Sequence, residues 1–122
     1  LGALDAATNA YAQAMNLTSA SVRLRSGARV GLGIALEKKA ETAAPEERRA
    51  LLKSAFDNYC ALLYSQEDEA DPFWTKEAGW RALPLMMTLK AGDRDKFFLR
   101  LEGLFPQLKE ALEKKRSAFS NN

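Results

Sequence analysis

Apolar residues recur at every third or fourth position through most of this chain, and the interruptions in that rhythm are helix breaks. Strand-like alternation closed by tight hairpins is missing: the sequence contains no Asn-Gly and no Asp-Gly pair. A chain written this way can hide its apolar stripes only by packing helix against helix. Its 122 residues suffice for one such domain.

The spacing predicts six helices. The first covers about residues 4–15, with Leu4, Ala7, Tyr11 and Ala14 on one face. Thr18 or Ser19 is placed to cap the second, about 20–40, whose buried stripe reads Leu24, Ala28, Gly31, Leu32, Ala35 and Leu36. Pro45 suits the first position of a third helix, since its missing N–H would find no partner there, and Glu46 and Glu47 favour the positive helix end. That helix runs to about Ser65 and buries Phe56, Tyr59, Leu62 and Leu63. The acidic stretch 66–71 is expected to be a loop, with Asp71-Pro72 capping and opening a fourth helix to about Ala91. Pro84 removes one bond inside it and is expected to kink or break it. Gly92 and Asp93 end that helix and cap a fifth, about 94–105, carrying Phe97, Phe98, Leu101 and Leu104. Pro106 opens a sixth, with Leu108, Ala111 and Leu112 inward, and residues 117–122 are expected to fray.

Composition narrows the chemistry. There is no histidine, so no triad of the usual kind, no imidazole metal site and no near-neutral switch. One cysteine, Cys60, rules out an intramolecular disulfide and a Cys-rich zinc site. Lys and Arg total 18 against 16 Asp and Glu, a surplus too small for a dedicated nucleic-acid surface, although Arg23, Arg25 and Arg29 are the only charges between Ala6 and Leu36. No segment is apolar enough to span a membrane or to act as a signal peptide. The chain does not begin with Met and is read as a trimmed or partial form of a longer one, soluble in cytoplasm or periplasm, with any leader or anchor removed.

Individual motifs also resolve toward packing. Gly27, Gly31 and Gly33 lack the Gly-Lys-Ser/Thr of a phosphate loop, and Leu36 stands where a dinucleotide fingerprint needs its third glycine. Glycine inside a helix costs up to ~1 kcal/mol, so the three are expected to let another helix approach closely. The run from Glu67 to Asp71 has neither the central glycine nor the distal glutamate of a calcium loop. Glu37 and Glu41 share a helical face but have Lys38 and Lys39 beside them, and Cys60 lies in an apolar stretch unlike the electropositive setting of a nucleophile. Trp74, Trp80, Phe97 and Phe98 are read as core. The expectation is a non-enzyme with no catalytic residue, cofactor or metal.

A small–aromatic–small step then recurs: Ala7, Tyr11 and Ala14 in the first helix, Ala55, Tyr59 and Leu62 in the third, with Phe97, Leu101 and Leu104 keeping the spacing in the fifth. Together with Leu32-Gly33 and the turn at Ala91-Gly92-Asp93, this resembles the tetratricopeptide-repeat family, in a divergent version with extended helices and a period longer than ~34 residues. Pro84 and the large Phe97 depart from its pattern. The resemblance implies an all-α fold: a right-handed superhelical stack of antiparallel helix pairs, an α-α solenoid of about six helices. Residues 1–16 would be a half repeat, 20–65 and 72–105 two repeat units, and 106–117 a capping helix. It further implies a protein–protein interaction scaffold that binds a protein or peptide on a concave face, lined by Val30, Ile34 and Lys38 of the second helix and Ala82, Met86 and Lys90 of the fourth. An unrelated antiparallel bundle stays open as the fold. A helical subunit that self-associates, or docks on the rest of its own chain, stays open as the function.

Overall fold

Helix ends fall where capping chemistry puts them in the computed structural model, which describes residues 2–120. The elements are α1 (Gly2–Met15), α2 (Val22–Ala40), α3 (Pro45–Leu63), α4 (Pro72–Leu89), α5 (Arg94–Leu104) and α6 (Lys109–Ser120), with short 3-10 turns at Glu67–Glu69 and Pro106–Leu108. No strand occurs among the described residues. Pro45 and Pro72 sit in the first turns of α3 and α4, and the Asp71 and Asp93 carboxylates accept from the Trp74 and Lys96 amides at 3.2 and 3.1 Å.

Several local expectations need correction. The cap of α2 is Ser21, whose Oγ accepts from the Leu24 amide, because Leu17 to Ala20 closes a separate turn. Pro84 neither breaks nor ends α4, which runs on to Leu89 with Pro84 on its exposed side. α4 ends at Leu89, with Lys90 rather than glycine in the left-handed conformation (φ 52°) and Gly92 following at φ 73°. The last helix stays wound to Ser120, helped by Phe119 packing edge-on against Phe98 with centroids 5.9 Å apart; Asn121 and Asn122 lie outside the described residues. Pro106 opens the 3-10 turn and α6 itself begins at Lys109; Leu112 of α6 is buried and Leu108 of that turn half-buried, but Ala111 is exposed.

Contacts across successive helices run in opposite numerical order, so each neighbour is antiparallel. Asp5 meets Lys39 and Tyr11 meets Gly31 between α1 and α2. Arg29 meets Asn58, Gly33 meets Tyr59 and Ala40 meets Arg48 between α2 and α3. Between α3 and α4, Arg49 reaches Leu89. α2 also touches α4, in parallel: Ser26 pairs with Asp71 and Gly27 with Trp74. The core gathers Val30 of α2, Ala55, Tyr59 and Leu63 of α3, Ala82, Leu83 and Met86 of α4, and Phe97, Phe98 and Leu101 of α5.

Glycine makes these approaches possible. A Cβ on Gly27 would stand 3.0 Å from the Trp74 indole, one on Gly31 2.6 Å from the Tyr11 ring, and one on Gly33 2.4 Å from the Tyr59 ring. The close approach expected of this face is thus made by rings from three different helices. Arginines complete the frame by reaching across helix ends. Arg48 donates to the carbonyls of Ala40 and Ala43, Arg49 to Leu89, and Arg100 to Leu63 and Ser65 at 2.8 and 2.9 Å. Each satisfies a carbonyl that a helix terminus leaves without an internal partner.

The two kinds of helical glycine can be told apart by experiment. Gly33→Ala should destabilise by about 1–3 kcal/mol, because the buried Tyr59 ring has no room to withdraw. Gly103→Ala, with nothing within 4 Å of the new Cβ, should stabilise by about 0.5–1 kcal/mol. Urea midpoints of the two variants would check the opposite signs.

Candidate functional site

The six residues expected to line a concave face do not form one. Val30, Ala82 and Met86 are 1%, 0% and 4% exposed and belong to the core. The expectation failed because α2 and α4 are each covered on more than one side: α3 packs on both, and Leu101 of α5 fills the space left by Gly79 of α4. Ile34 is half-buried against the same core. Lys38 and Lys90 are exposed, but Lys90 belongs to the turn after α4 and borders a separate hollow with Met86, Gly92 and Phe119.

The open surface of α2 lies toward its N-terminal half instead. There a cleft of about 530 Å³ is bordered by Tyr11 and Ala14 of α1, Leu24, Gly27 and Ala28 of α2, and Trp74 of α4. Arg23 is its only charged wall residue. Leu24 is 59% exposed, contrary to its expected place on the buried stripe, and Tyr11 is 39% exposed. Phe73, 54% exposed, meets Trp74 edge-on with centroids 5.0 Å apart and extends the apolar surface beyond the cleft. Trp74 is half-buried and serves as a wall of the cleft, not as sealed core. One signal in the sequence marked this face. Leu24, Gly27, Gly31, Ile34 and Lys38 follow one another at steps of three and four, and glycines on such a strip leave its width unfilled.

Two polar groupings lie elsewhere. The Tyr59 hydroxyl donates to the Glu37 carboxylate at 2.5 Å, and burial, reinforced by that carboxylate, pushes the phenol well above its ordinary range. With Arg81 close by, this ties α2, α3 and α4 together at one junction. On another side, Arg25, Ser26 and Arg29 of α2 face Ser65, Asp68 and Glu69 across a hollow of about 430 Å³. Arg29 donates to Asn58 Oδ1 at 3.2 Å, and burial alone pulls its guanidinium below the usual range.

Among the described residues no three His, Cys, Asp or Glu side chains gather as a metal site requires, and no helix is long and apolar enough to cross a membrane. Cys60 is half-buried, and its thiol is pushed up to about 12, first by burial and then by Asp57. Comparison with family models, curated proteins and solved structures returns no match to this chain.

The thiol supplies a check on this part of the structure. Only the thiolate attacks iodoacetamide, so Cys60 should label at least about a hundredfold more slowly than a free cysteine at pH 8 and reach the free rate once unfolded. Because its pKa is raised by folding, the associated stability is full below about pH 9 and is lost as pH climbs toward about 12. Rapid labelling of the native protein at pH 8 would contradict the burial of Cys60.

Proposed function

We propose that this chain is a non-enzymatic protein-interaction scaffold, built as a divergent tetratricopeptide-like stack, which seats apolar anchors of a partner protein or peptide between α1, α2 and α4. The observation that carries the reading is the cleft floored by Gly27, with Leu24, Tyr11 and Phe73 exposed around it. Large apolar side chains grouped on a surface mark interaction sites, where single scattered ones would not. The helix order supports the repeat assignment: α2 and α4 run parallel as the leading helices of successive pairs, and Gly33 of α2 takes the Tyr59 ring of α3 within one pair. On this reading the binding face runs from Tyr11 and Ala14 across Leu24 and Gly27 to Trp74.

The second reading is self-association or docking on a further part of the same chain. Two exposed apolar side chains favour it: Leu99 is 62% exposed and Tyr64 42%, both bordering one broad surface of α5 that also carries Asp93, Asp95, Lys96 and Arg100.

Peptides selected by display on the wild-type chain test the proposal. Leu24→Asp and Phe73→Asp, being exposed substitutions, should shift stability by no more than about 0.5 kcal/mol while abolishing binding of the selected peptides. Peptides that bind both variants as well as the wild type would refute the assignment of this cleft. Light scattering separates the readings: a monomer at all concentrations agrees with an open cleft. A dimer dispersed by Leu99→Asp but not by Leu24→Asp favours self-association.

A further inference from the structure

The hollow between α2 and the segment after α3 presents opposite charges that leave each other unpaired. Arg25 and Arg29 stand one helical turn apart on α2, both half-buried, while Asp68 and Glu69 border the same space from the 3-10 turn. The ion pairs among the described residues are Lys39–Asp5, Lys53–Asp57, Lys114–Glu110 and Arg116–Asp95, so none joins these four groups. Each guanidinium is instead anchored by a neutral oxygen. Arg25 Nε donates to the Ala20 carbonyl at 3.2 Å and Arg29 Nη1 to Asn58 Oδ1 at 3.2 Å. A guanidinium has five N–H donors in a fixed fork, so most of the donors of both side chains stay available and their planes are held in place. The N–H groups left without a protein acceptor are free to form charge-assisted bonds to an anion that enters the hollow.

We propose that this hollow binds a small zwitterion of the amino-acid class, with its carboxylate on Arg25 and Arg29 and its ammonium group toward Asp68 and Glu69. A volume of about 430 Å³ lies within the range of small-molecule sites. A lone multivalent anion such as phosphate would be drawn to the arginines but repelled by the two carboxylates on the facing wall. A lone cation meets the reverse. Only a ligand carrying both charges satisfies both walls. This assignment is independent of the apolar cleft, which lies on a different side of α2.

Calorimetric titration with each of the twenty proteinogenic amino acids tests it, with acetate, phosphate and ethylamine as single-charge controls. At least one amino acid should saturate the protein at one site, and each control should bind at least about tenfold more weakly. Arg29→Gln should weaken that amino acid by at least about tenfold. Should Arg29→Gln fail to fold, the exposed pair Asp68→Asn with Glu69→Gln gives the same readout and should keep the wild-type melting temperature. The proposal is overturned if no amino acid binds, if acetate or phosphate binds as tightly, or if the double variant binds unchanged. A large fall in melting temperature for the double variant also overturns it, because the two acids would then be the arginines' own partners.

Discussion

Three aromatic rings pressed onto three glycines of one helix set the arrangement of the rest. Trp74 covers Gly27, Tyr11 covers Gly31 and Tyr59 covers Gly33, so α4, α1 and α3 each find their place on α2 through a ring-sized recess. A helix carrying three glycines gives up roughly 2–3 kcal/mol of intrinsic helical preference against alanine. Burial of large aromatic surface offsets that loss, since each such ring can remove 150–250 Å² from water. The direction of each recess around the helix axis decides which neighbour sits where, and the space left open between α1 and α4 becomes the cleft. Packing and the candidate interaction surface are thus two results of one residue choice.

Connectivity supports the same geometry. α2, α3 and α4 follow one another antiparallel with short links, and Ser26 Oγ accepts from the Asp71 amide at 3.1 Å, pinning the start of α4 beside α2. Asp71 then caps α4 through the Trp74 amide, so the residue that opens the helix also presents the ring that fills the Gly27 recess. The polar junction at Tyr59 works similarly: its ring occupies the Gly33 recess while its hydroxyl bonds Glu37, four residues further along the same helix. The buried Ser26 and Thr75 hydroxyls also have hydrogen-bond partners, whereas Glu102 Oε1 is buried without one.

Most of the architecture was legible in the sequence because it rests on local chemistry. Pro45, Pro72, Asp71 and Asp93 mark the starts of α3, α4 and α5 through bonds within a single turn, whereas α2 and α6 begin a few residues from where their signals put them. The candidate site was legible only in part. Helical spacing says that Val30 and Ile34 lie on one side of α2 and that Leu24 lies with Gly31, but not which side a neighbour covers. That depends on contacts between residues far apart in the chain, such as Trp74 on Gly27 and Tyr11 on Gly31. Val30, Ala82 and Met86 were therefore placed at a surface and belong to the core, whereas Leu24 was placed in the core and stands in solvent. The three glycines held the missing information, but it becomes readable only once the ring meant for each is known.

The arginine bonds across helix ends carry a consequence for how the molecule responds to its medium. Arg48, Arg49 and Arg100 fasten onto main-chain carbonyls, which carry no net charge and do not titrate. The surface pairs Asp5–Lys39 and Asp95–Arg116 behave otherwise: acid removes the carboxylate charge and dissolved salt screens the attraction. Acidified or saline solvent therefore weakens the pairs that fasten α1 and α6, while the ties from Arg48, Arg49 and Arg100 to main-chain carbonyls keep their donors and acceptors unchanged. Those three ties at helix ends are indifferent to the solvent, whereas the two peripheral pairs follow it.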